Sequence, residues 1–375
     1  MRPEPFALER YFARYEFTAP YLLASSDCDG LPMAEVLAMA DDECAALWRD
    51  LTLAYTESLG LPQLRAEIAR LYDTAGPDDV LTGAPQELIF VAMIALLSPG
   101  DHVVCTFPAY QSLHQVAETI GCEVTRWMPR ESEAWRLHPA DLEACLRPDT
   151  RLVVVNVPHN PTGALPVADD WAAIVDLVAA NGAQLFCDEM YRGLELDPGD
   201  RLPAAADLIE GAISLSGMSK VYGMAGTRIG WLTVRDEETR SRIAAMKDYT
   251  AICSSAPSEV LALIGLRNGP AVIARHRARA ERNLAALDAF FDRRADLFSW
   301  VRPRAGTVCL ARLRDEALSV EALALKSVEE AGIMLTPGTL FGLDDSYLRI
   351  GFGRENLPAV LERFEEFLAA AYPPR

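Results

Sequence analysis

The sequence predicts an α/β protein, with a large domain built on a mostly parallel sheet sandwiched by helices and a smaller α+β domain. Between about residues 80 and 235, short apolar and β-branched runs alternate with stretches of helical periodicity. These runs are continuously hydrophobic, which is typical of strands buried on both faces of a parallel sheet. After residue 258 the pattern changes to a long helix and then to strand–helix–strand segments, which favours a separate small domain.

The predicted elements follow in chain order. A helix over 168–182 ends at Gly182, a common residue at helix ends. Downstream, 258–297 is predicted as one long helix, 347–353 as a strand and 356–371 as a final helix. We expect an N-terminal segment, 1–45, that packs on the small domain, a large domain over 46–265 and a small C-terminal domain over 266–375. The predicted strands of the large domain are 102–107, 122–127, 151–157, 183–189, 211–216 and 229–234.

Composition narrows the class of partner. The chain has 375 residues and a net charge of −19, which argues against binding to nucleic acid or to an anionic membrane surface. It contains no apolar run of transmembrane length and no N-terminal signal peptide, so we expect a cytoplasmic protein. The eight cysteines are dispersed and the five histidines lack metal-binding spacing, so we expect reduced thiols and no metal site.

Polar groups follow the predicted strands, at the edge of the sheet where α/β proteins bind their ligands. The groups are an amide, a carboxylate, two phenols, an amine and a turn that leads into a helix. Together they fit pyridoxal 5′-phosphate, which needs a lysine for a Schiff base, a carboxylate at the pyridine nitrogen, a stacking ring and a phosphate site. The residues are Asn160, Asp188, Tyr110, Tyr191, Lys220 and the turn at Gly83.

The pattern resembles the fold-type I pyridoxal-phosphate enzymes, and among them the class I/II aminotransferase family. The similarity runs from about residue 50 to the end of the chain. It implies a seven-stranded sheet in the large domain and a homodimer acting on a small amino acid substrate. The matching stretches are "YTESLGLPQLRAEIARLY" (55–72), "FPAY" (107–110), "NVPHNPTG" (156–163), "DEMY" (188–191), "SGMSKVYGMAGTRIGW" (216–231) and "YLRIGF" (347–352).

The resemblance also implies a role for each matching residue. Lys220 bonds covalently to the cofactor, Asp188 pairs with the pyridine nitrogen and Tyr110 stacks on the ring. Asn160 and Tyr191 contact the ring hydroxyl, and Asn160 also lies beside the substrate. Arg349 holds the substrate carboxylate, a task for which the guanidinium group is well shaped. The phosphate is bound by Ser216 or Ser219, by Arg228, and by Tyr55 from the partner subunit.

One stretch departs from the family pattern. The phosphate turn usually offers two backbone N–H groups and often a hydroxyl, but here it consists of Gly83, Ala84, Pro85 and Gln86. Pro85 has no N–H, although proline is well tolerated at the first position of a helix. We expect the phosphate to depend more on Ala84 N–H, Gln86, Ser216 and Arg228.

The reaction itself stays open between two classes. An aminotransferase, which passes the amino group of an L-α-amino acid to a 2-oxo acid, is the leading interpretation. The region before Tyr55 lacks the usual opening motif. Together with the stretches "RLVVVNVPHNPTGA" and "TPGTLFG", it is similar to cyclases of the capreomycidine synthase type, which act on an arginine-like amino acid by β-elimination and internal addition. Asp27, Asp29 and Glu35 are candidates to face a basic side chain, and solvated surface positions are the alternative.

Overall fold

A computed structural model describes residues 2–372. Its helices are α1 (Ala7–Tyr15), α2 (Met33–Ala38), α3 (Asp42–Arg49), α4 (Pro62–Ala69), α5 (Pro85–Leu96), α6 (Ser112–Ile120), α7 (Pro139–Cys145), α8 (Ala168–Asn181), α9 (Ala205–Leu208), α10 (Glu237–Lys247), α11 (Ala256–Arg267), α12 (Gly269–Arg293), α13 (Val320–Ala331) and α14 (Leu357–Ala371). Its strands are β1 (Tyr21–Leu22), β2 (Val80–Gly83), β3 (His102–Thr106), β4 (Glu123–Trp127), β5 (Thr150–Asn156), β6 (Gln184–Asp188), β7 (Ile213–Gly217), β8 (Gly230–Val234), β9 (Phe298–Trp300), β10 (Val308–Leu313), β11 (Ile333–Met334), β12 (Thr336–Pro337) and β13 (Tyr347–Gly351).

Seven strands form the central sheet in the order β2-β8-β7-β6-β5-β3-β4. Only β8 runs antiparallel to its neighbours, β2 and β7. The predicted mostly parallel, seven-stranded sheet is therefore confirmed, and each of the six predicted strands is present. The apolar runs of the strands are continuous because both faces of the sheet are covered by helices. Adjacent residues of β5 such as Val153 and Val154 point to opposite faces and are both buried.

Helices bury the two faces of this sheet in separate cores. Val153 and Val155 of β5 pack with Trp171 and Ile174 of α8 on one face. Leu152 and Val154 pack with α5 and with Ile243 of α10 on the other face. The parallel strands β3, β5, β6 and β7 thus end at one edge of the sheet, where their following loops converge.

A second sheet has the order β12-β13-β10-β9 and is covered by α12, α13 and α14. The N-terminal segment reaches this part of the molecule, because β1 pairs in parallel with β11. The boundaries at residues 45 and 265 remain predictions. None of the helices within residues 2–372 is long and apolar enough to cross a membrane.

The stretch 258–297 is not the single helix that the sequence predicted. It forms α11 and α12, which are separated at Asn268. Pro270 explains the break, because proline lacks an N–H and its ring clashes with the carbonyl one turn earlier. The side chain of Asn268 donates to the carbonyl of Ile264 at 2.9 Å and so gives a hydrogen-bond partner to a carbonyl in the last turn of α11.

Gly351, at the end of β13, allows the N-terminal segment to approach closely. A Cβ atom at this position would lie 1.6 Å from the backbone oxygen of Ser25. We expect Gly351→Ala to lower the free energy of unfolding by about 2–3 kcal/mol, because a backbone atom cannot rotate away. Urea unfolding measures this change. Gly211→Ala is the control, since nothing lies within 4 Å of its added Cβ. Equal stability of the two variants would contradict the prediction.

Candidate active site

The carboxyl edge of the central sheet encloses a cavity of about 400 Å³. Most of the residues predicted from the sequence line it, and they come from several strands, from the loops that follow them and from the start of α5. A further wall comes from the N-terminal segment. The predicted residues in the lining are Pro85, Gln86, Tyr110, Asn160, Asp188, Tyr191, Ser219, Lys220, Arg228 and Arg349.

Lys220 lies three residues beyond the end of β7 and extends into this cavity. Its Nζ atom donates to Oγ of Ser26 at 2.8 Å. Burial lowers the pKa of the Lys220 amine, an effect that the Asp27 carboxylate opposes. A lysine with a lowered pKa is more often neutral, and a neutral amine can act as a nucleophile or as a base.

Asp188 is the last residue of β6 and is 7% exposed. Its Oδ1 atom accepts from the backbone N–H of Met190 at 3.1 Å. No basic side chain within residues 2–372 forms an ion pair with it. Burial raises the pKa of Asp188 to about 6, while the Met190 N–H and the charge of Lys220 oppose this effect. A buried carboxylate without a cation is suited to a positively charged group of a ligand.

Arg349 of β13 is 1% exposed. It donates to Oδ1 of Asn160 at 3.2 Å and to the carbonyl of Ala24 at 2.8 Å, and its Nε atom has no partner among the described residues. Its guanidinium also lies 5.0 Å from the ring centre of Phe341. Since no carboxylate of the described chain pairs with this buried cation, a ligand carboxylate is the group that it lacks.

The two predicted tyrosines of the cavity are both held by hydrogen bonds. The hydroxyl of Tyr191 donates to the backbone oxygen of Ser26 at 2.7 Å. The hydroxyl of Tyr110 donates to Glu9 at 2.6 Å, and its ring lies 5.0 Å from that of Phe6. The N-terminal segment therefore fixes the orientation of both rings.

The turn at 83–86 places the start of α5 beside the cavity. Pro85 is at the first helical position, and the first backbone bond of the helix runs from Leu88 N to Ala84 O at 2.9 Å. The N–H groups of Gln86 and Glu87 precede that bond and are free of helical partners, as at any helix start. Such a helix start attracts a phosphate dianion.

Arg228 and Ser219 also line the cavity. Arg228 has φ of 54°, a left-handed conformation that is uncommon for residues other than glycine. Its Nη1 atom donates to the carbonyl of Ala225 at 3.1 Å, which leaves the rest of the guanidinium for another acceptor. These two side chains and the start of α5 are the groups that suit a phosphate.

Four predicted residues are not brought into this cavity. Gly83 and Ala84 precede Pro85 in the chain and do not line the cavity. Ser216 faces a different cavity, because side chains alternate along β7 and its neighbour Leu215 lines the cavity that contains Lys220. Tyr55 is 88% exposed and lies outside the lining.

Sequence reasoning missed most of the N-terminal wall. Ser26 contacts both Lys220 and Tyr191, yet a serine in a loop carries no motif that could have revealed it. Asp27 was considered and does line the cavity, where it pairs with Arg354 at 3.0 Å. The other two acidic candidates lie outside the lining and pair elsewhere, Asp29 with Arg279 and Glu35 with Arg275. The cavity also contains Asn156, Glu9 and Glu16.

The family model for aminotransferase class I and II matches residues 20–364. The chain belongs to this family. Capreomycidine synthase of Streptomyces vinaceus is 31% identical to this aminotransferase-family chain over 296 residues, which cover 79% of this chain and 75% of the relative.

Two solved structures are similar over nearly the whole length. A PLP-dependent aminotransferase from Streptococcus suis superposes with a TM-score of 0.92 at 26% identity, covering 99% of both chains. The PLP-dependent cyclase OrfR superposes with a TM-score of 0.90 at 27% identity, covering 99% of this chain and 98% of that one. The family therefore includes both an aminotransferase and a cyclase among the relatives of this chain.

Membership of the family implies that this protein is an enzyme that depends on pyridoxal 5′-phosphate. The residues present fit that cofactor. Asp188 is a buried carboxylate that lacks a cation, Lys220 is an amine with a lowered pKa, and α5 offers free N–H groups. These are the partners that a pyridine nitrogen, an aldehyde and a phosphate require.

The raised pKa of Asp188 predicts that the free energy of unfolding of the cofactor-free protein depends on pH. Unfolding lets this carboxyl lose its proton between its ordinary value of 3.8 and about 6, so the free energy of unfolding falls as pH rises through that window. We expect Asp188→Asn to stabilise the cofactor-free protein by about 3 kcal/mol at pH 7.5 and by about half of that at pH 5.

Urea unfolding of the cofactor-free proteins at both pH values measures this difference. Asp176→Asn, an exposed substitution on α8, is the control and should leave the midpoint unchanged. A variant at Asp188 that is no more stable than the wild type at pH 7.5 would show that burial does not raise this pKa.

Proposed function

We propose that the enzyme is an aminotransferase, which moves the amino group of an L-α-amino acid to a 2-oxo acid. The observation behind this proposal is that Lys220, Asp188 and Arg349 line one cavity, each buried or half-buried and without an ion-pair partner among the described residues. Such a set provides a base, a cation site and a carboxylate site within one small volume. The family membership of the chain supports the same activity.

Each residue has a separable task in this reaction. Bound pyridoxal phosphate supplies an electron acceptor for the carbanion formed at the substrate Cα atom. The Asp188 carboxylate holds a proton at the pyridine nitrogen. Lys220 would act as the base that takes the proton from the substrate Cα atom, which requires an amine that is neutral part of the time. Arg349 holds the α-carboxylate, while Asn160 accepts from Arg349 at 3.2 Å and keeps it oriented.

Roles for the remaining groups follow from their positions. Tyr110 faces the cavity with its ring and is proposed to stack on the pyridine. Tyr191 is proposed to approach the ring hydroxyl, with its own hydroxyl anchored on Ser26. Gln86, Ser219 and Arg228 are proposed to bind the phosphate, with Ser219 in place of Ser216.

A cyclase acting on an arginine-like amino acid is the second candidate, and the N-terminal wall favours it. Glu16 lines the cavity and forms no ion pair or hydrogen bond through its carboxylate among the described residues. Burial raises the pKa of Glu16, and the nearby Asp27 carboxylate acts in the same direction. A cationic substrate side chain would relieve this repulsion. The similarity to capreomycidine synthase points the same way.

A homodimer is also proposed, with Tyr55 reaching the phosphate site of the partner. Leu53, Tyr55 and Tyr249 are 88%, 88% and 86% exposed, which is unusual for such large side chains. Ser58 donates to the carbonyl of Ile252 at 2.9 Å and so joins the two segments that carry them. An apolar surface of this kind favours contact with a second copy of the chain.

The chain has only three lysines, which permits a direct test of Lys220. After addition of pyridoxal phosphate and borohydride, we expect peptide mass mapping to find the cofactor on Lys220 and not on Lys247 or Lys326. Lys220→Ala should abolish the visible absorption and lower turnover by about 10³-fold or more. Lys326→Ala is the control and should keep both. Labelling of another lysine in its place would exclude the proposed site.

Reaction type is tested by supplying single amino acids with and without a 2-oxo acid. For an aminotransferase we expect repeated turnover only when the 2-oxo acid is present. Turnover of a β-hydroxylated arginine with release of water and no need for a 2-oxo acid would establish the cyclase instead.

Glu16→Gln should lower kcat/KM for basic amino acids about fivefold or more and leave the kcat/KM for neutral amino acids unchanged. Equal losses for both classes would remove Glu16 from substrate recognition.

A further inference from the structure

A second cavity, of about 310 Å³, lies across β7 from the cavity that contains Lys220. Leu215 lines the first and Ser216 lines the second, since consecutive strand residues point to opposite faces. The function proposed above uses none of the residues of the second cavity. Its polar lining is Tyr72, Glu189, Arg192, Arg201, Ser216, Tyr222 and Arg277.

Three arginines converge on this cavity, and they are poorly neutralised. The side chain of Arg201 forms no ion pair or hydrogen bond with the described residues 2–372, and only its backbone N–H donates, to the carbonyl of Pro198 at 3.4 Å. Arg192 donates only to backbone carbonyls, at 3.3 and 3.4 Å. Arg277 has one distant pair, at 3.9 Å to Glu281. In a chain with 54 acidic and 35 basic residues, arginines that lack carboxylate partners on one cavity indicate an anion from outside the chain.

The beginning of α12 adds a positive potential to the same place. Gly269 and Pro270, the first two residues of this 25-residue helix, line the cavity. A helix of this length has the equivalent of about half a positive charge at its N-terminus. Gly269 also lets Tyr222 approach closely, since an added Cβ would be 3.2 Å from that ring. The hydroxyl of Tyr222 is therefore held beside the helix start.

Glu189 is the one acidic residue in the lining, and it is buried. Its Oε1 atom accepts from Ala205 N and from Oγ of Ser214, both at 2.7 Å. Its Oε2 atom is buried and has no partner among the described residues. Burial raises the pKa of Glu189, while the charge of Arg192 opposes this. Glu189 forms no ion pair with the arginines of the cavity among the described residues.

We propose that this cavity is a second binding site, distinct from the Lys220 cavity, for a small oxyanion with at least two negative charges, such as a phosphate group or a dicarboxylate. Arg192, Arg201 and Arg277 form the cationic wall, the start of α12 adds its dipole, and the hydroxyls of Ser216 and Tyr222 are donors. The volume of about 310 Å³ is sufficient for a phosphate ester of a small metabolite and too small for a macromolecule.

The test uses the enzyme with its cofactor fixed by borohydride, so that the cofactor's phosphate fills its own position. Inorganic phosphate and malonate are titrated separately by calorimetry, with chloride at equal ionic strength as the reference. We expect saturable binding of at least one of the two dianions, with one ion per chain, and none of chloride. Tighter phosphate binding assigns the site to phosphorylated ligands, and tighter malonate binding assigns it to dicarboxylates.

Substitution of Arg201 and of Arg277 tests whether the anion binds in this cavity. Arg201→Gln and Arg277→Gln should each weaken binding about tenfold or more. Arg302→Gln, which removes an exposed arginine paired with Asp288, should leave it unchanged. Absence of saturable binding, or binding that both Arg201→Gln and Arg277→Gln leave intact, overturns the proposal. Because the measurement needs no turnover, its result is independent of which reaction the enzyme performs.

Discussion

The burial of ionisable side chains at one edge of the central sheet is the constraint on which the rest of the structure depends. Asp188, Lys220 and Arg349 lie around one cavity, and none forms an ion pair within the described chain. Burying charges in this way costs free energy that the fold must supply elsewhere. In the proposed function, the cofactor's pyridine nitrogen pairs with Asp188 and the substrate carboxylate pairs with Arg349, so ligand binding and the stability of the protein are coupled.

The sequence was most informative where one residue sits at the end of a buried strand. Asp188 could be placed because a continuous apolar run precedes it, and the parallel sheet then brings it near Lys220. Ser26 could not be placed, since its contact with Lys220 joins residues 194 apart in the chain and depends on how the N-terminal segment crosses the molecule. The cavity that Ser216 faces could not be predicted from the sequence either, because only the register of β7 decides which face of the sheet a side chain occupies.

Departures from the expected pattern have local physical causes. Pro85 removes a hydrogen-bond donor from the turn at 83–86, yet it starts α5 and packs against Gly230. Pro270 divides a predicted helix and thereby creates a second helix start, beside which the arginine-lined cavity lies. The two cavities are back to back across β7, and the segment from Ser216 to Tyr222 contributes to both.

The pairing of β1 with β11 has a consequence for synthesis on the ribosome. Tyr21 and Leu22 are made long before their partners, Ile333 and Met334. Folding of the central sheet can therefore proceed before the N-terminal segment has anywhere to dock. The wall that holds Lys220 and Tyr191 closes only after Ile333 and Met334 have been made, so a nascent chain contains Lys220 well before it has a finished pocket.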